Sequence, residues 1–230
     1  RAAPFWAWNC DLNEDLLLRE IEQMKAMGMG GFHMHVRTGM SPTYLSDEFM
    51  QLIRACTEKA KKEKMLAYLY DEDRWPSGTA GGMVTENPDF RIKYLRLNIC
   101  PAQDFAWSNS IIAAFSVQLN GQSFTDKQQL AQNETDSRPG RSVLYFTSEE
   151  MMPYSFYNGQ TYADTMNPEA TKEFLRITHE QYAKNCAKNI NNGSIYGIFT
   201  DEPHHGGIMC GFALQNPDGN NLTPMPKDLF

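Results

Sequence analysis

Apolar positions in the first ninety residues switch between two periods. Pro4-Phe-Trp-Ala-Trp-Asn9 reads as a short aromatic strand. Asn13 then caps a segment in which Leu16, Leu17, Ile21, Met24 and Met27 recur at helical spacing. Gly28 and the Gly30-Gly31 pair end that helix, and Gly31-Phe-His-Met-His-Val-Arg37 predicts a second strand. Ser46 caps a second helix with Phe49, Leu52, Ile53, Cys56 and Ala60 on one face, and Met65-Leu-Ala-Tyr-Leu-Tyr70 is a third strand. From about 91 to 162 polar and apolar residues alternate, with Asn120-Gly121 and Asn158-Gly159 as hairpin signals and a polar stretch, expected to be mobile, at Asp126–Arg141. Asn167-Pro168 opens a further helix running to about Asn189, and the Asn191-Asn-Gly193 turn leads into Ser194-Ile-Tyr-Gly-Ile-Phe-Thr-Asp-Glu-Pro203. After 206 the pattern predicts no element.

The resulting order is βα-βα-β-(insert)-α-β. Strands alternating with helices imply parallel pairing and right-handed crossovers. An open doubly wound sheet and the first half of a (β/α)8 TIM-type barrel both satisfy that order. Carboxylates and aromatics at the carboxyl ends of successive strands favour the barrel, and no Gly-x-Gly-x-x-Gly follows the first strand to cradle a nucleotide. The expected organisation is a (β/α) barrel half over 1–90 and 163–230, comprising the first four βα units. An antiparallel β subdomain over 91–162 is inserted after strand 3.

Composition narrows the partners. Hydrophobic content of 41% with 21% charged residues is that of a globular chain, and a formal net charge of −7 excludes nucleic-acid binding by counterion release. No apolar run approaches the length needed to span a membrane. The five cysteines are scattered and never in Cys-x-x-Cys spacing, which predicts neither a disulfide framework nor a zinc knuckle and suits a reducing compartment. An Arg-Ala-Ala-Pro start leaves room for a removed secretory signal.

Candidate chemistry gathers at strand ends. Glu202 ends the apolar run before a proline that cannot continue a central strand, which makes it the candidate general acid. Asp201 has the opposite parity. Asp71, Glu72, Asp73 and Arg74 put three acids and a guanidinium after the third strand, suited either to sugar hydroxyls or to a solvated loop with an internal ion pair. Trp75 beside them would stack on a sugar or pack under the loop. His33, His35 and Arg37 share one face of the second strand; His35 and Arg37 suit sugar hydroxyls, and His33 a buried hydrogen bond. Metal ligation by these histidines, or by His204 and His205 with Asp201, is the rival reading; no tightly bound metal and no cofactor are expected. His179 and Glu180 read as structural or surface positions, and Asp164 as bordering the cleft.

Tyr70-Asp-Glu-Asp-Arg-Trp-Pro-Ser-Gly-Thr-Ala-Gly-Gly-Met-Val-Thr-Glu86 resembles the segment after the third strand in bacterial (β/α)8 glycoside hydrolases of the α-L-rhamnosidase type. Residues 4–9 and Gly30-Gly-Phe-His-Met-His35 resemble the same family's opening Trp-rich strand and Gly-Gly second strand. Thr200-Asp-Glu-Pro203 resembles the Asn-Glu-Pro end of the fourth strand in the wider clan of retaining barrel glycosidases. The resemblance implies that Glu202 is the acid/base; Asp201 stands where that clan has an asparagine touching the sugar 2-hydroxyl. It implies a carbohydrate substrate, with His35, Arg37, Asp71, Glu72, Asp73, Arg74, Trp75 and Asp201 binding it. The clan's nucleophile ends a seventh strand, so the chain is expected to be catalytically incomplete alone, and to meet a missing carboxyl-terminal half or form a homo-oligomer. Two alternatives stand beside this reading: a metal-dependent amidohydrolase-like barrel hydrolase, and a non-catalytic carbohydrate-binding fragment.

Overall fold

A computed structural model describes residues 1–121, 123–205 and 222–224. The chain is mixed α/β, with one parallel sheet and one separate antiparallel sheet. In the parallel sheet β1 (Phe5–Trp8), β2 (Gly31–Val36), β3 (Leu66–Tyr70) and β8 (Ile195–Phe199) lie side by side in that order. The helices α1 (Glu14–Ala26) and α2 (Asp47–Lys62) connect the first three strands. Both begin where the sequence places their caps: Asn13 Oδ1 accepts from Leu16 N at 2.9 Å and Ser46 Oγ from Phe49 N at 3.2 Å. Acidic residues fill each first turn and lysines each last turn, complementing the helix dipole.

Strand alternation gives this sheet two different faces. Trp8, Phe32, Met34 and Val36 are fully buried against Leu17, Ile21, Phe49 and Ile53 of the helices, forming the main core. The opposite face carries Phe5, His33, His35, Tyr68, Tyr70 and Phe199 in mutual ring contact. Gly31 is required between β2 and β3, because a Cβ there would lie 2.4 Å from the Leu66 carbonyl oxygen.

Residues 91–162 carry β4 (Lys93–Pro101), β5 (Ile111–Asn120), β6 (Ser123–Leu130) and β7 (Ser142–Glu150), all paired antiparallel. Their two crossing points are bonded to each other, Ile92 N to Tyr162 O at 3.1 Å and Asp164 N to Phe90 O at 2.8 Å. The stretch read as mobile is ordered otherwise. Residues 126–130 belong to β6, and buried Asp136 and Arg141 lie 3.4 Å apart, with Ser116 Oγ bonded to both.

Further expectations change. The segment 163–230 does not lie wholly with the parallel sheet: β9 (Leu222–Pro224) pairs antiparallel with β4, whose outer edge offers unpaired backbone groups. The single helix expected from Asn167 to about Asn189 is three: α3 (Pro168–Ile177), α4 (His179–Asn185) and α5 (Ala187–Asn191). Thr178 causes the first break, since its hydroxyl competes for the Phe174 carbonyl at 2.7 Å and its backbone turns to φ −100°, ψ −72°. No element is expected after 206, and β9 corrects that; residues 206–221 and 225–230 lie outside the described residues.

Candidate active site

At the carboxyl edge of the parallel sheet, the loop after β3 meets the segment after β8. Glu72 organises that loop. Its carboxylate is fully buried and accepts the backbone N–H groups of Asp73, Gly78, Thr79, Ala80 and Gly81, together with the Thr79 hydroxyl. Ala80, Gly81 and Gly82 turn into the left-handed region, at φ 50°, 67° and 94°, and this curls the loop so that the amides of residues 78–81 converge on the carboxylate as an anion nest. Burial outweighs those donors and pushes the Glu72 carboxyl up to about 7.

The expectation that Glu72 contacts a sugar is therefore corrected. A fully buried carboxylate saturated by its own loop has no surface for a ligand. Asp71 is equally buried, and it accepts from Ser77 Oγ at 2.6 Å and Thr200 Oγ1 at 2.5 Å. Burial raises its pKa against the pull of those two hydroxyls and of His179, whose Nε2 lies 3.7 Å away. His179, expected to be structural or at the surface, thus reaches a buried acid. Asp73 and Arg74 pair with each other, and Arg74 Nη1 donates to Phe156 O at 3.1 Å. The loop's internal ion pair ties it to the antiparallel segment. Like charges crowd one stretch of sequence, but the fold separates them because each carboxylate points to different donors.

Trp75 is half-exposed, and its indole Nε1 donates to Glu202 Oε2 at 3.0 Å. Glu202 is exposed and does not end a strand: β8 stops at Phe199, and Glu202 sits at φ 45° after it. Strand parity therefore does not decide which way residues 201 and 202 point. Asp201 turns toward the aromatic face, accepting from Tyr70 OH at 2.9 Å and facing His35 Nε2 at 3.7 Å. His35 Nε2 is buried and makes no hydrogen bond. Burial and the nearby Arg37 lower the His35 pKa, with Asp201 opposing them. Arg37 itself is exposed just past β2. His33 stacks on Tyr68, with Nδ1 3.1 Å from Ala3 O.

The fold therefore pairs Trp75 with Glu202, gathers Tyr70 and His35 around the adjoining Asp201, and withdraws Asp71 and Glu72 from the surface. Sequence reading passed over Tyr70, Ser77 and Thr200. Their signal is only that polar or phenolic side chains sit at strand ends. Among the described residues, no group of three or more His, Cys, Asp or Glu is placed to hold a metal ion, and no helix is long and apolar enough to cross a membrane. A cavity of about 370 Å³ lies on the helix side of the 200–205 segment, lined by Ser77, Phe174, His179, Thr200 and Pro203 among others. Neither Glu202 nor Trp75 lines it, so its size does not mark the candidate chemistry.

No protein-family model and no curated protein matches the chain. Among solved structures, a rhamnosidase from Novosphingobium sp. PP1Y is similar at a TM-score of 0.38 and 16% identity, over 57% of this chain. The chain spans 16% of that protein's length.

Proposed function

We propose that this chain carries the acid-bearing part of a glycoside hydrolase site, with Glu202 protonating the leaving glycosidic oxygen. One observation carries the reading. An exposed carboxylate lies against a half-exposed indole just past the carboxyl end of a parallel strand. Glycosidic cleavage needs a proton donor at the leaving oxygen, and sugars present flat faces to rings and hydroxyls to paired donors and acceptors. Trp75 supplies the ring. Asp201 supplies an acceptor for a hydroxyl, His35 Nε2 lies buried 3.7 Å behind its Oδ2, and Arg37 stands exposed past the end of β2. The order β1-β2-β3-β8 is that of four successive strands of a (β/α)8 barrel, and we read the sheet as that part of one.

The role of Asp201 on this reading is to bind rather than to transfer the proton. The Tyr70 hydroxyl already donates to it, whereas Glu202 stands free of the sheet. Turnover of 4-nitrophenyl glycosides by the chain, or by a longer form containing it, tests the assignment. Glu202→Gln is expected to lower kcat by on the order of 10²-fold or more, as when a general acid is removed. An unchanged rate would remove Glu202 from the chemistry.

A further inference from the structure

Ser77 is fully buried, and its hydroxyl and amide bond in three directions. Its Oγ donates to Asp71 Oδ1 at 2.6 Å and accepts the Asp201 N–H at 2.9 Å. Its own N–H donates to Asp201 O at 2.8 Å. The pair Ser77–Asp201 is thus bonded reciprocally, in the manner of a capping box that links two distant segments instead of one helix turn. Asp71 takes a second hydroxyl from Thr200, the residue immediately before Asp201, at 2.5 Å. Asp71 therefore grips both sides of the junction, the loop through Ser77 and the strand end through Thr200. The loop end of the clamp is itself fixed, because Gly78 and Thr79 donate to Glu72.

From this we infer that Ser77, backed by Asp71, is the positioning residue that holds the Asp201–Glu202 segment against Trp75. The inference rests on the proposed role of Glu202 for its functional meaning, but not for its geometry. After Phe199 no sheet pairing holds the chain, and Glu202 is in a left-handed conformation that residues with a Cβ rarely adopt unless their neighbours impose it. The bonds from Ser77 and Asp71 hold the chain before Glu202, together with Tyr70 OH on Asp201, while Tyr162 OH and Thr165 Oγ1 hold the His204 backbone beyond it. Removing the hydroxyl deletes the acceptor of the Asp201 amide and one donor to a buried carboxylate together. The approach to Glu202 then loses part of its hold, with Tyr70 still on Asp201, and the bond between Glu202 and the indole weakens.

The Trp75 indole proton reports this without any turnover. In the folded chain its ¹H and ¹⁵N resonances should be displaced by the Nε1–Oε2 hydrogen bond, and Glu202→Ala should abolish that displacement. Ser77→Ala is expected to reduce it, while far-UV dichroism and the melting transition stay cooperative. Ser77→Thr, which keeps the hydroxyl, should restore it. Thr200→Val removes the other donor to Asp71 with little change of shape, and it carries the test if Ser77→Ala does not fold; a reduced indole displacement is expected. A folded Ser77→Ala chain, or a Thr200→Val chain, with the wild-type indole resonances at Trp75 would overturn the inference. Where aryl glycosides are turned over, Ser77→Ala should lower kcat about tenfold with little change in KM. If Glu202→Gln leaves turnover intact while the indole displacement is reduced in both variants, the positioning stands and the glycosidase reading falls.

Discussion

Glu72 should make the protein less stable as pH rises from acid to neutral, opposite to the behaviour of a carboxylate in an ion pair. In the unfolded chain it ionises near the ordinary value of 4.5, and in the folded chain near 7. Between those values the folded chain keeps a proton that the unfolded chain has released. The stabilisation is therefore fully present below 4.5 and is lost as pH rises through 7. The difference between 4.5 and about 7, at about 1.4 kcal/mol for each tenfold change in proton affinity, is on the order of 3 kcal/mol. Glu72→Gln keeps the shape and one acceptor but cannot titrate. Its amide also turns N–H groups toward backbone donors, which lowers stability by an amount that does not vary with pH. Urea unfolding of both chains at pH 4.5 and pH 7.5 isolates Glu72, because every other titrating group cancels in the comparison. The wild type should lose roughly 3 kcal/mol relative to Glu72→Gln between the two pH values. Parallel profiles would mean that the six donors around the carboxylate outweigh burial and keep it charged throughout, and the reasoning would fail.

Arg141→Met should cost about 3 kcal/mol in urea unfolding, the lower end for a broken buried ion pair, because Arg138 still pairs with the Asp136 left behind; a change below about 1 kcal/mol would show that the cluster contributes little. The His35 imidazole should titrate below the ordinary histidine value in a proton NMR titration, since burial and Arg37 favour its neutral form. Its contribution to stability accordingly rises with pH up to about 6.5, and a titration above that value would mean that Asp201 dominates its environment.

Much of the fold could be read from local pattern. Asn13, Ser46 and Asn167 cap helices because a short polar side chain before an apolar period satisfies the first free amides wherever it occurs. The four apolar strands and the alternating strands of 91–162 follow from which faces are buried, a property written into residue order. Thr178 shows the limit even locally, since whether a threonine hydroxyl takes a helix carbonyl is decided by what its neighbours pack against.

The site divided differently. Asp71, Glu72, Asp73, Asp201 and Glu202 are alike as residues, and sequence alone assigned nearly all of them to substrate. Their fates were set by partners far along the chain: Trp75 meets Glu202 across 127 residues, and Tyr70 meets Asp201 across 131. Glu72 was withdrawn by a turn of left-handed residues whose amides converge only once the loop has closed. A carboxylate's chemistry depends on the donors and the water around it, and neither is a property of its neighbours in sequence. The sequence by itself determined that acids would gather at the carboxyl edge of a parallel sheet. Only the tertiary structure decided which of them support the loop and which one stands exposed against an indole.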